Sequence, residues 1–526
     1  MAFARPPHGY LGGSISRPNA MTGGGYTVQP AGSNALAPEP LRPESVIGSY
    51  DEDAITLGRH VDHWGIGERI RYGGDQHVLV FGPNGKGKGT RILMPNLLQM
   101  RGNRSVVVVD PKGELAAVTA PLRRSLGRVV ILNPFGVLTD IPEYADLKSY
   151  GFNPLAQLDP TSPNFNRDAA QLADAMVAVD SKDPHWGMSA RALVAAILMY
   201  VAIEAKKRNQ TPTIKRVREL ICLPSSAGVP EKGIPPTGIP ALAEYMMTLG
   251  IPGLSNKASQ FTDWNREIQS IVSTAKIQTE AFDDTEIAED TAKNGFDFKS
   301  IKRKPTTVYL ILPPEAMERH SKWLRMVLTC AIQSVLRVRR RGEPRILFML
   351  DEFYALGHLE IISTVWALVR GYGIAMMPVL QDMGQLKKLY HDMWETFIGM
   401  AGAVVSFAPN DLTTAEWLSK RAGEGEREIE TKSISDSTSG GTGASTGGQY
   451  GTTSTNSGWS YSTATNRSSI RAPLASPHKF FGMKAGFVTV TLDGLSDMIP
   501  AYTPPYYNIR QCWLVARDNP YYLGSV

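Results

Sequence analysis

Long uninterrupted apolar runs recur along the chain, and most of them are rich in β-branched residues. The early runs are HVLVFG (77–82), SVVVVD (105–110) and RVVILN (128–133). The later runs are TTVYLIL (306–312), RILFMLD (345–351), IAMMPVLQ (374–381), GAVVSFA (402–408) and AGFVTVTL (485–492). Because these runs lack the alternation of a half-exposed strand, they predict strands that are buried on both faces of a parallel sheet.

Helical spacing of apolar residues occurs between these strands. It is found at 90–100, 321–340, 359–371 and 411–422. From 154 to about 300, β-like runs are few, and helical patterns at 168–180, 188–208 and 264–282 dominate. Strands that alternate with helices and resume after a helical stretch predict an α/β fold in which one domain is interrupted by another.

Two segments depart from this pattern. Residues 1–50 are rich in Pro, Gly, Ser and Asn, which predicts a flexible arm over 1–60, with regular structure beginning near Ile66. Within 431–465, 25 of 35 residues are Ser, Thr or Gly. Such a segment buries too little apolar surface to offset the entropy lost on ordering, so we predict a mobile loop at 431–466.

Composition limits the class of protein without defining its partner. Hydrophobic residues make up 42% of the chain and charged residues 20%, and the net charge is +5, as in many soluble globular proteins. The three cysteines are far apart, which argues against a disulfide framework and fits a reducing cytoplasm. The longest apolar stretch, 192–203, is shorter than the roughly 18 residues that span a bilayer, and the first residues lack a signal-peptide core. We therefore expect a cytoplasmic protein with no membrane span.

A glycine-rich segment, GPNGKGKGT, follows the first strand and precedes a helical pattern. Its spacing matches the G-x-x-x-x-G-K part of a P-loop, in which backbone N–H groups and a helix N-terminus bind phosphate and the lysine reaches the β- and γ-phosphates of ATP. The predicted nucleotide-binding residues are Gly82, Pro83, Asn84, Gly85, Lys86, Gly87, Lys88, Gly89 and Thr90. Gly89 stands where a P-loop usually has the Ser or Thr that binds Mg²⁺. Either Thr90 takes that role after a small shift, or water and phosphate hold the metal.

Acidic residues follow two of the predicted strands. Asp351 and Glu352 end ILFMLDE, at the edge where α/β sheets bind ligands. We predict that Asp351 holds Mg²⁺ through water and that Glu352 polarises the attacking water. Asp110 ends another strand, and there a place in the same crevice and a simple Asp-Pro-Lys-Gly turn are equally compatible with the sequence.

Two further polar residues are candidates for the same site. Gln381 ends the strand IAMMPVLQ, where its amide could sense the γ-phosphate or orient water. Arg370 lies at the end of a predicted helix. It could stabilise the helix dipole there, or it could act as an arginine finger in a neighbouring subunit.

An ordered set of motifs resembles the TraG-like coupling proteins of type IV secretion, the hexameric motor ATPases of bacterial conjugation. The resemblance covers about residues 66 to 510. It rests on GPNGKGKG, VVVVDPKGEL, FNPL (152–155), DPHWGMSARALVAAILMYV (183–201), LFMLDEFYALGHL (347–359), VLQDMGQLKKLY (379–390) and NDLTTAEWLSKRAG (410–423).

The resemblance implies a RecA-like nucleotide-binding domain interrupted by an all-α domain. The expected division is an arm at 1–60, nucleotide-binding segments at 61–153 and 303–526, and an all-α insertion at 154–302. By matching motifs, Lys88 is the phosphate lysine, Asp351 and Glu352 are the Walker B acids and Gln381 is the sensor glutamine. Arg370 resembles the arginine that completes a neighbour's site.

The resemblance also implies a function and a set of partners. It implies a homohexameric ATPase that uses ATP and Mg²⁺ to pass relaxase-bound single-stranded DNA to the components of a type IV secretion channel. Family members usually carry membrane helices ahead of the P-loop domain. None is evident here, so we expect either that a partner anchors the protein at the inner face of the bacterial inner membrane or that the chain belongs to a soluble subgroup.

Three readings of the cargo and activity stay open at this point. A motor for protein effectors and a nucleotide-gated docking platform without processive translocation both fit the same motifs. Basic clusters at 302–304 and 337–341 either contact DNA phosphates or form solvated helix ends.

Overall fold

A computed structural model describes residues 52–63, 65–179, 183–223, 238–338, 343–444 and 453–522. The described residues form two compact units, one with 52–414 and 481–522 and the other with 415–480. The boundaries predicted for the domains, at 60, 153 and 302, stay predictions. The predicted arm lies outside the described residues as far as 51.

Eleven strands of the described residues form one sheet in the first unit. In chain order they are β1 (Ile55–Asp62), β2 (Gly65–Tyr72), β3 (His77–Phe81), β4 (Arg104–Asp110), β5 (Arg128–Leu132), β6 (Thr306–Ile311), β7 (Arg345–Leu350), β8 (Ile374–Leu380), β9 (Ala401–Phe407), β12 (Phe487–Leu492) and β13 (Ile499–Tyr502), with β10 and β11 given below. Their order across the sheet is β2-β1-β13-β12-β9-β3-β8-β7-β4-β6-β5.

The strands from β9 to β5 in this order are parallel, and the four at the other edge pair antiparallel. All residues of β3, β4, β6, β8 and β9 are buried, as the apolar runs predict for strands covered on both faces. Because parallel strands end at the same edge, the residues after β3, β8, β7 and β4 are brought side by side.

Regular structure begins earlier than predicted. The expectation that it starts near Ile66 is wrong, because β1 begins at Ile55 and pairs with β2 and β13. Ile55 and Leu57 are fully buried while neighbouring side chains are partly exposed. This half-exposed strand at the antiparallel edge has a short alternating pattern, which is a weaker signal than a continuous apolar run.

Helices also occur between and after the strands along the chain, and they make up the insertion. Those outside the insertion are α1 (Met94–Gln99), α2 (Glu114–Leu126), α10 (Pro314–Arg337), α11 (Glu360–Val365), α12 (Met383–Tyr390), α13 (Trp394–Gly399), α14 (Leu412–Ala422), α15 (Pro477–Phe481) and α16 (Arg510–Trp513). Those of the insertion are α3 (Phe165–Met176), α4 (Pro184–Lys207), α5 (Ile214–Ile221), α6 (Ile239–Met247), α7 (Pro252–Ala258), α8 (Arg266–Thr279) and α9 (Thr285–Thr291). The described residues between β5 and β6 contain no strand, as the predicted helical insertion requires.

Helix α4 is the one described helix that is long and apolar enough to cross a membrane, with a mean hydropathy of 1.7 over its best window. Of that window, 72% is buried inside the protein. The helix packs against α3, α7 and α8, so its apolar residues serve as core of the insertion, as the sequence predicts for 192–203.

The described part of the segment predicted as a mobile loop, 431–466, is a two-stranded antiparallel ribbon, so the expectation of a loop is wrong there, and its mobility stays a prediction. Strand β10 (Glu424–Ala444) pairs with β11 (Thr453–Pro473), from Glu424 opposite Pro473 to Ala444 opposite Thr453. The entropy argument considered only apolar burial and omitted the backbone hydrogen bonds of a ladder. Thr is also among the residues enriched in extended strands.

Candidate nucleotide-binding site

The glycine-rich segment links β3 to the helix that carries α1, at the centre of the sheet between β8 and β9. Gly85 and Gly87 have φ angles of 78° and 83°, in the left-handed region that favours glycine. A side chain at Gly87 would also collide with Arg91, whose Cδ lies 2.9 Å from the position of a Cβ. A π-helical turn, Gly89–Leu93, then leads into α1. The predicted P-loop context of strand, tight turn and helix is therefore present.

Lys88 points back into the loop. Its Nζ donates hydrogen bonds to the carbonyl oxygens of Gly82 at 2.7 Å and Pro83 at 3.3 Å. Burial lowers the pKa of Lys88, and the nearby carboxylates of Asp351 and Glu352 oppose that effect. The ammonium group is thus held among oxygen atoms that a phosphate could replace.

Gly89 and Thr90 stand at the position where a P-loop binds its metal. A Cβ added at Gly89 would meet nothing within 4 Å, so the volume that a Ser or Thr side chain usually fills is open. The Thr90 hydroxyl lies 3.3 Å from the Gly87 carbonyl oxygen and lines the same cavity as Lys88. Both readings of the metal position, through Thr90 or through water and phosphate, fit this arrangement.

Asp351 and Glu352 follow β7 as predicted. Burial raises the pKa of Asp351 to about 6, Glu352 adds to that effect, and Lys88 opposes it. Glu352 has a φ of 53°, a left-handed conformation that is unfavourable for a residue with a side chain. The turn that follows is fixed by Arg325 of α10, whose guanidinium donates to the carbonyls of Leu356 at 2.8 Å and His358 at 2.7 Å.

Gln381 meets Glu352 directly. Its Nε2 donates to Glu352 Oε1 at 3.2 Å, and its own backbone N–H donates to Gln385 Oε1 at 2.9 Å. Strand β8, which ends at Leu380, lies between β3 and β7. The sequence predicts that the Gln381 amide senses the γ-phosphate or orients water. The structure adds a hydrogen bond from this amide to the Glu352 carboxylate.

Asp110 both takes part in a turn and lines the cavity, so the two alternatives that the sequence left open are present together. Its carbonyl accepts from the Gly113 N–H in a turn, and its Oδ2 accepts from the Ala116 N–H of α2 at 2.8 Å. It also lines the cavity that holds Lys88 and Asp351. Burial raises its pKa to about 7, although the hydrogen bonds from Ala116 and Leu115 oppose that shift.

These residues surround one cavity of about 610 Å³. Its lining includes Gly85, Gly87, Lys88, Thr90, Asp110, Glu114, Asp351, Glu352 and Tyr522. Tyr522 and the residues just before it were not among the predicted site residues. Asn519 Nδ2 donates to Glu114 Oε1 at 2.6 Å and the Tyr521 hydroxyl donates to the Lys112 carbonyl at 2.7 Å. No spacing rule joins residues 405 and 409 positions apart, so the sequence carried no signal for these contacts.

The oxygen donors at this cavity fit Mg²⁺. The ion binds oxygen, keeps several waters, and is usually held by one or two carboxylates together with substrate phosphates. Asp351 and Thr90 supply a carboxylate and a hydroxyl at the edge of the P-loop. Among the described residues no three His, Cys, Asp or Glu side chains form a group that could hold a metal ion.

Arg370 lies far from this cavity. It sits in a short 3₁₀ turn, Val369–Tyr372, before the first residue of β8, whereas Gln381 follows the last. At about 3.3 Å per residue the intervening strand is roughly 23 Å long. An arginine side chain cannot cover that distance to its own P-loop.

The predicted helix at 359–371 is shorter in the structure. Helix α11 ends at Val365, so Arg370 does not terminate an α-helix, and the helix-dipole reading of its charge is wrong. Trp366 is buried and stacks on His77, with ring centroids 3.9 Å apart, and this packing turns the chain away from the helix axis.

Not all side chains of the two basic clusters, 302–304 and 337–341, are free to contact DNA phosphates. Lys302 is buried and pairs with Glu343 at 3.2 Å, and Arg337 pairs with Asp168. Arg303 and Lys304 are exposed, and residues 339–341 lie outside the described residues. The reading of 302–304 as a DNA contact is therefore wrong for Lys302.

Fold and site together define a P-loop nucleotide-binding protein of RecA-like architecture with a helical insertion. The sequence model of one protein family, described as Type IV secretory system Conjugative DNA transfer, matches residues 48–452. The chain belongs to this family, and the resemblance drawn from its motifs is confirmed.

Curated relatives agree with this assignment. A conjugal transfer protein TraG of Escherichia coli is 28% identical over 424 residues, covering 75% of this chain and 62% of that protein. The protein VirD4 of Rhizobium radiobacter is 27% identical over 370 residues, covering 68% of this chain and 50% of that protein. The chain thus spans about half to three-fifths of the length of these relatives.

Solved structures share the fold. Plasmid coupling protein TrwB in complex with the non-hydrolysable ATP analogue ADPNP has a TM-score of 0.57 at 15% identity, covering 87% of this chain and 96% of that one. TrwB in complex with ADP and Mg²⁺ has a TM-score of 0.56 at 14% identity, covering 87% and 96%.

Proposed function

We propose that this chain is an ATP-driven coupling protein that delivers relaxase-bound single-stranded DNA to a type IV secretion channel. The observation that carries the proposal is a cavity lined by Lys88, Asp351 and Glu352, with Gln381 hydrogen-bonded to Glu352, in a member of the conjugative DNA transfer family. These are the groups that phosphoryl transfer needs, since its catalysis consists mainly of positioning and charge stabilisation.

In this proposal each residue has a distinct part. Lys88 leaves the carbonyls of Gly82 and Pro83 and takes the β- and γ-phosphates. Glu352 orients and polarises the attacking water, and Gln381 holds the Glu352 carboxylate through the 3.2 Å hydrogen bond.

Asp351 and Thr90 would hold Mg²⁺, which neutralises charge on the phosphates when bound. TrwB, which shares the fold, binds ADPNP and, in another structure, ADP with Mg²⁺, and this supports the same ligands here. A homohexamer, a relaxase partner and recruitment to the inner membrane through an anchoring partner belong to the same proposal.

The decisive experiment is ATP hydrolysis with and without single-stranded DNA. We expect the wild-type chain to hydrolyse ATP faster when DNA is present. Lys88→Ala serves as the matched control, and it should fold normally and lack hydrolysis because the lysine faces the cavity and not the core. Wild-type hydrolysis that ignores DNA but responds to a secreted protein would favour the effector motor. ATP binding without hydrolysis under any condition would favour the docking platform.

A further inference from the structure

A second cavity, of about 470 Å³, lies on the antiparallel side of the sheet. Strands β1 and β2, helix α1 and the segment around α16 form its walls. Four arginines line it, Arg59, Arg69, Arg91 and Arg510, and none of the described residues in its lining is acidic. We call these four arginines with Tyr502 the arginine cleft.

Three of the four arginines are held by uncharged groups. Arg59 Nε donates to the Gly67 carbonyl at 2.9 Å, and Arg91 donates to the Thr503 carbonyl at 2.6 Å. Arg69 donates to the amide oxygens of Gln99 and Gln511, both at 3.3 Å. Within the described part of the chain none of the four forms a salt bridge. Their positive charge is therefore oriented but not neutralised.

Sheet register places part of this charge in a row. Arg59 of β1 lies directly opposite Arg69 of β2 on one side and Tyr502 of β13 on the other. Like charges directly opposite each other on neighbouring strands are destabilising. Burial lowers the pKa of Arg69, and the charges of Arg71 and Arg59 add to that effect. An anion in the cleft would relieve this repulsion.

We propose that the arginine cleft binds the phosphodiester backbone of single-stranded nucleic acid, an inference that rests on the proposed function and names one contact surface for its DNA. Cationic grooves that also carry aromatic rings are typical of single-strand binding, because phosphates pair with the cations and bases or sugars pack on the rings. Tyr502 supplies the ring within the row, and Ile66 adds an exposed apolar surface at the rim.

The cleft also touches the nucleotide site through one residue. Arg91 lies three residues after Lys88 on the same helical segment, and its side chain passes over Gly87 of the P-loop. A ligand that moves Arg91 therefore acts on the loop that holds the phosphates. This contact gives single-stranded nucleic acid a direct route to the site whose hydrolysis it is proposed to stimulate.

The test is equilibrium binding of a fluorescent single-stranded oligonucleotide to the full chain, by anisotropy without nucleotide, over a range of salt concentrations. The test variant is Arg59→Ala/Arg510→Ala, because both side chains are exposed and carry no part of the core. The control is Arg208→Ala/Arg319→Ala, which removes the same charge from exposed ion pairs elsewhere. Circular dichroism and thermal unfolding establish that each variant is folded.

Each phosphate contact to a single strand contributes about 0.7 to the slope of log affinity against log salt. We expect the test variant to lose about 1.4 from that slope and to bind about 25-fold more weakly at 0.1 M salt. The control should match the wild type. Equal losses in both variants, or none in the test variant, would overturn the inference while leaving DNA-stimulated hydrolysis intact as support for the function. A wild-type chain that binds no single-stranded DNA would instead contradict both.

Vesicles with anionic phospholipid headgroups form a second arm, because headgroups carry the same phosphate chemistry. We expect no difference between the two variants in vesicle sedimentation. A loss of vesicle binding in the test variant, with oligonucleotide affinity unchanged, would assign the cleft to a membrane surface and overturn the nucleic-acid assignment.

Discussion

Glu352 holds a backbone conformation that side-chain-bearing residues avoid. A left-handed non-glycine residue costs roughly 1–3 kcal/mol and persists only where its surroundings enforce it. Here the enforcement comes from the buried Phe353 on one side and from Arg325, which holds the following turn. The carboxylate of this strained residue accepts a hydrogen bond from Gln381. The backbone strain therefore occurs at the residue that is predicted to activate water.

Glu352→Gln is expected to bind ATP normally and to hydrolyse it at least about 100-fold more slowly, the lower range of a lost general base. The amide keeps the size of the side chain and an oxygen that can accept from Gln381, but it cannot take a proton. Nucleotide affinity and single-turnover hydrolysis, measured on the same preparation, separate binding from chemistry. Loss of ATP binding in a folded variant would assign Glu352 to the structure of the site.

Asp110 should make stability depend on pH. Its pKa is raised from 3.8 to about 7 by burial, so the native protein binds a proton that the unfolded chain lacks between these values. Stability therefore falls as pH rises through that window. Asp110→Asn keeps an oxygen for the Ala116 N–H and cannot ionise. Without nucleotide and Mg²⁺, we expect it to be more stable than wild type at pH 8 by about 1–3 kcal/mol. Parallel unfolding profiles from pH 5 to 8 would contradict this.

The ribbon of β10 and β11 is the element on which sequence and structure differ most. Each strand has 21 residues, which gives a length of about 70 Å at 3.4 Å per residue.

Deleting 435–466 leaves Glu430 opposite Arg467 in the existing register, joined by the four residues 431–434. We expect ATP hydrolysis to change less than about twofold, since shortening a connection alters little free energy. Insoluble protein or lost hydrolysis would show that the ribbon supports the nucleotide-binding unit.

The elements that sequence predicted well share one property. Strands β3, β4, β7 and β8 are continuous apolar runs, and the chemistry at their ends follows from strand polarity alone. The misses have physical causes. Strand β1 is half-exposed, the ribbon is a backbone pairing of two strands without apolar runs, and Tyr522 reaches the cavity through a contact between distant parts of the chain. Strand order could not be predicted either, because crossovers leave no local pattern.

At the scale of the whole molecule, a row of packed aromatic rings runs from the residue after Glu352 to the region of Arg370. Phe353, next to Glu352, stacks on Tyr390, which packs on Phe397, and Phe397 packs on Trp366 near Arg370. Trp366 in turn stacks on His77 at the start of β3. The nucleotide site and Arg370 therefore lie at opposite edges of one sheet and share a rigid packed layer.

Arg370→Ala should bind nucleotide normally and hydrolyse it poorly, if Arg370 completes a neighbour's site. An arginine supplied by another subunit can be worth about 10³–10⁵ in rate. Wild-type hydrolysis should then rise more steeply than linearly with protein concentration. Mixing Arg370→Ala with Lys88→Ala should partly restore hydrolysis, because an intact P-loop can meet an intact arginine across one interface.

The control for this mixing experiment tests whether the two variants assemble into the same oligomer. Mixed oligomers must be demonstrated, for example by co-purification of differently tagged variants, before the rate is interpreted. A mixture that forms such oligomers and stays as inactive as its components would contradict the role in trans. It would return Arg370 to a local role beside Tyr72, where burial raises the pKa of the phenol and the charge of Arg370 opposes that rise.

The placement of β3 between β8 and β9 has a consequence for biosynthesis. The strand that carries the P-loop pairs with β8, which begins 293 residues after β3 ends, and with β9, which begins 320 residues after it. At roughly 5–20 residues per second on the ribosome, β3 waits about 15–60 seconds for its first partner. During that time an apolar strand without neighbours is open to aggregation. The insertion, whose helices contact one another locally, can fold meanwhile. Nascent chains of this protein are thus natural clients for chaperones that shield exposed strands until Ile374 and the residues after it emerge.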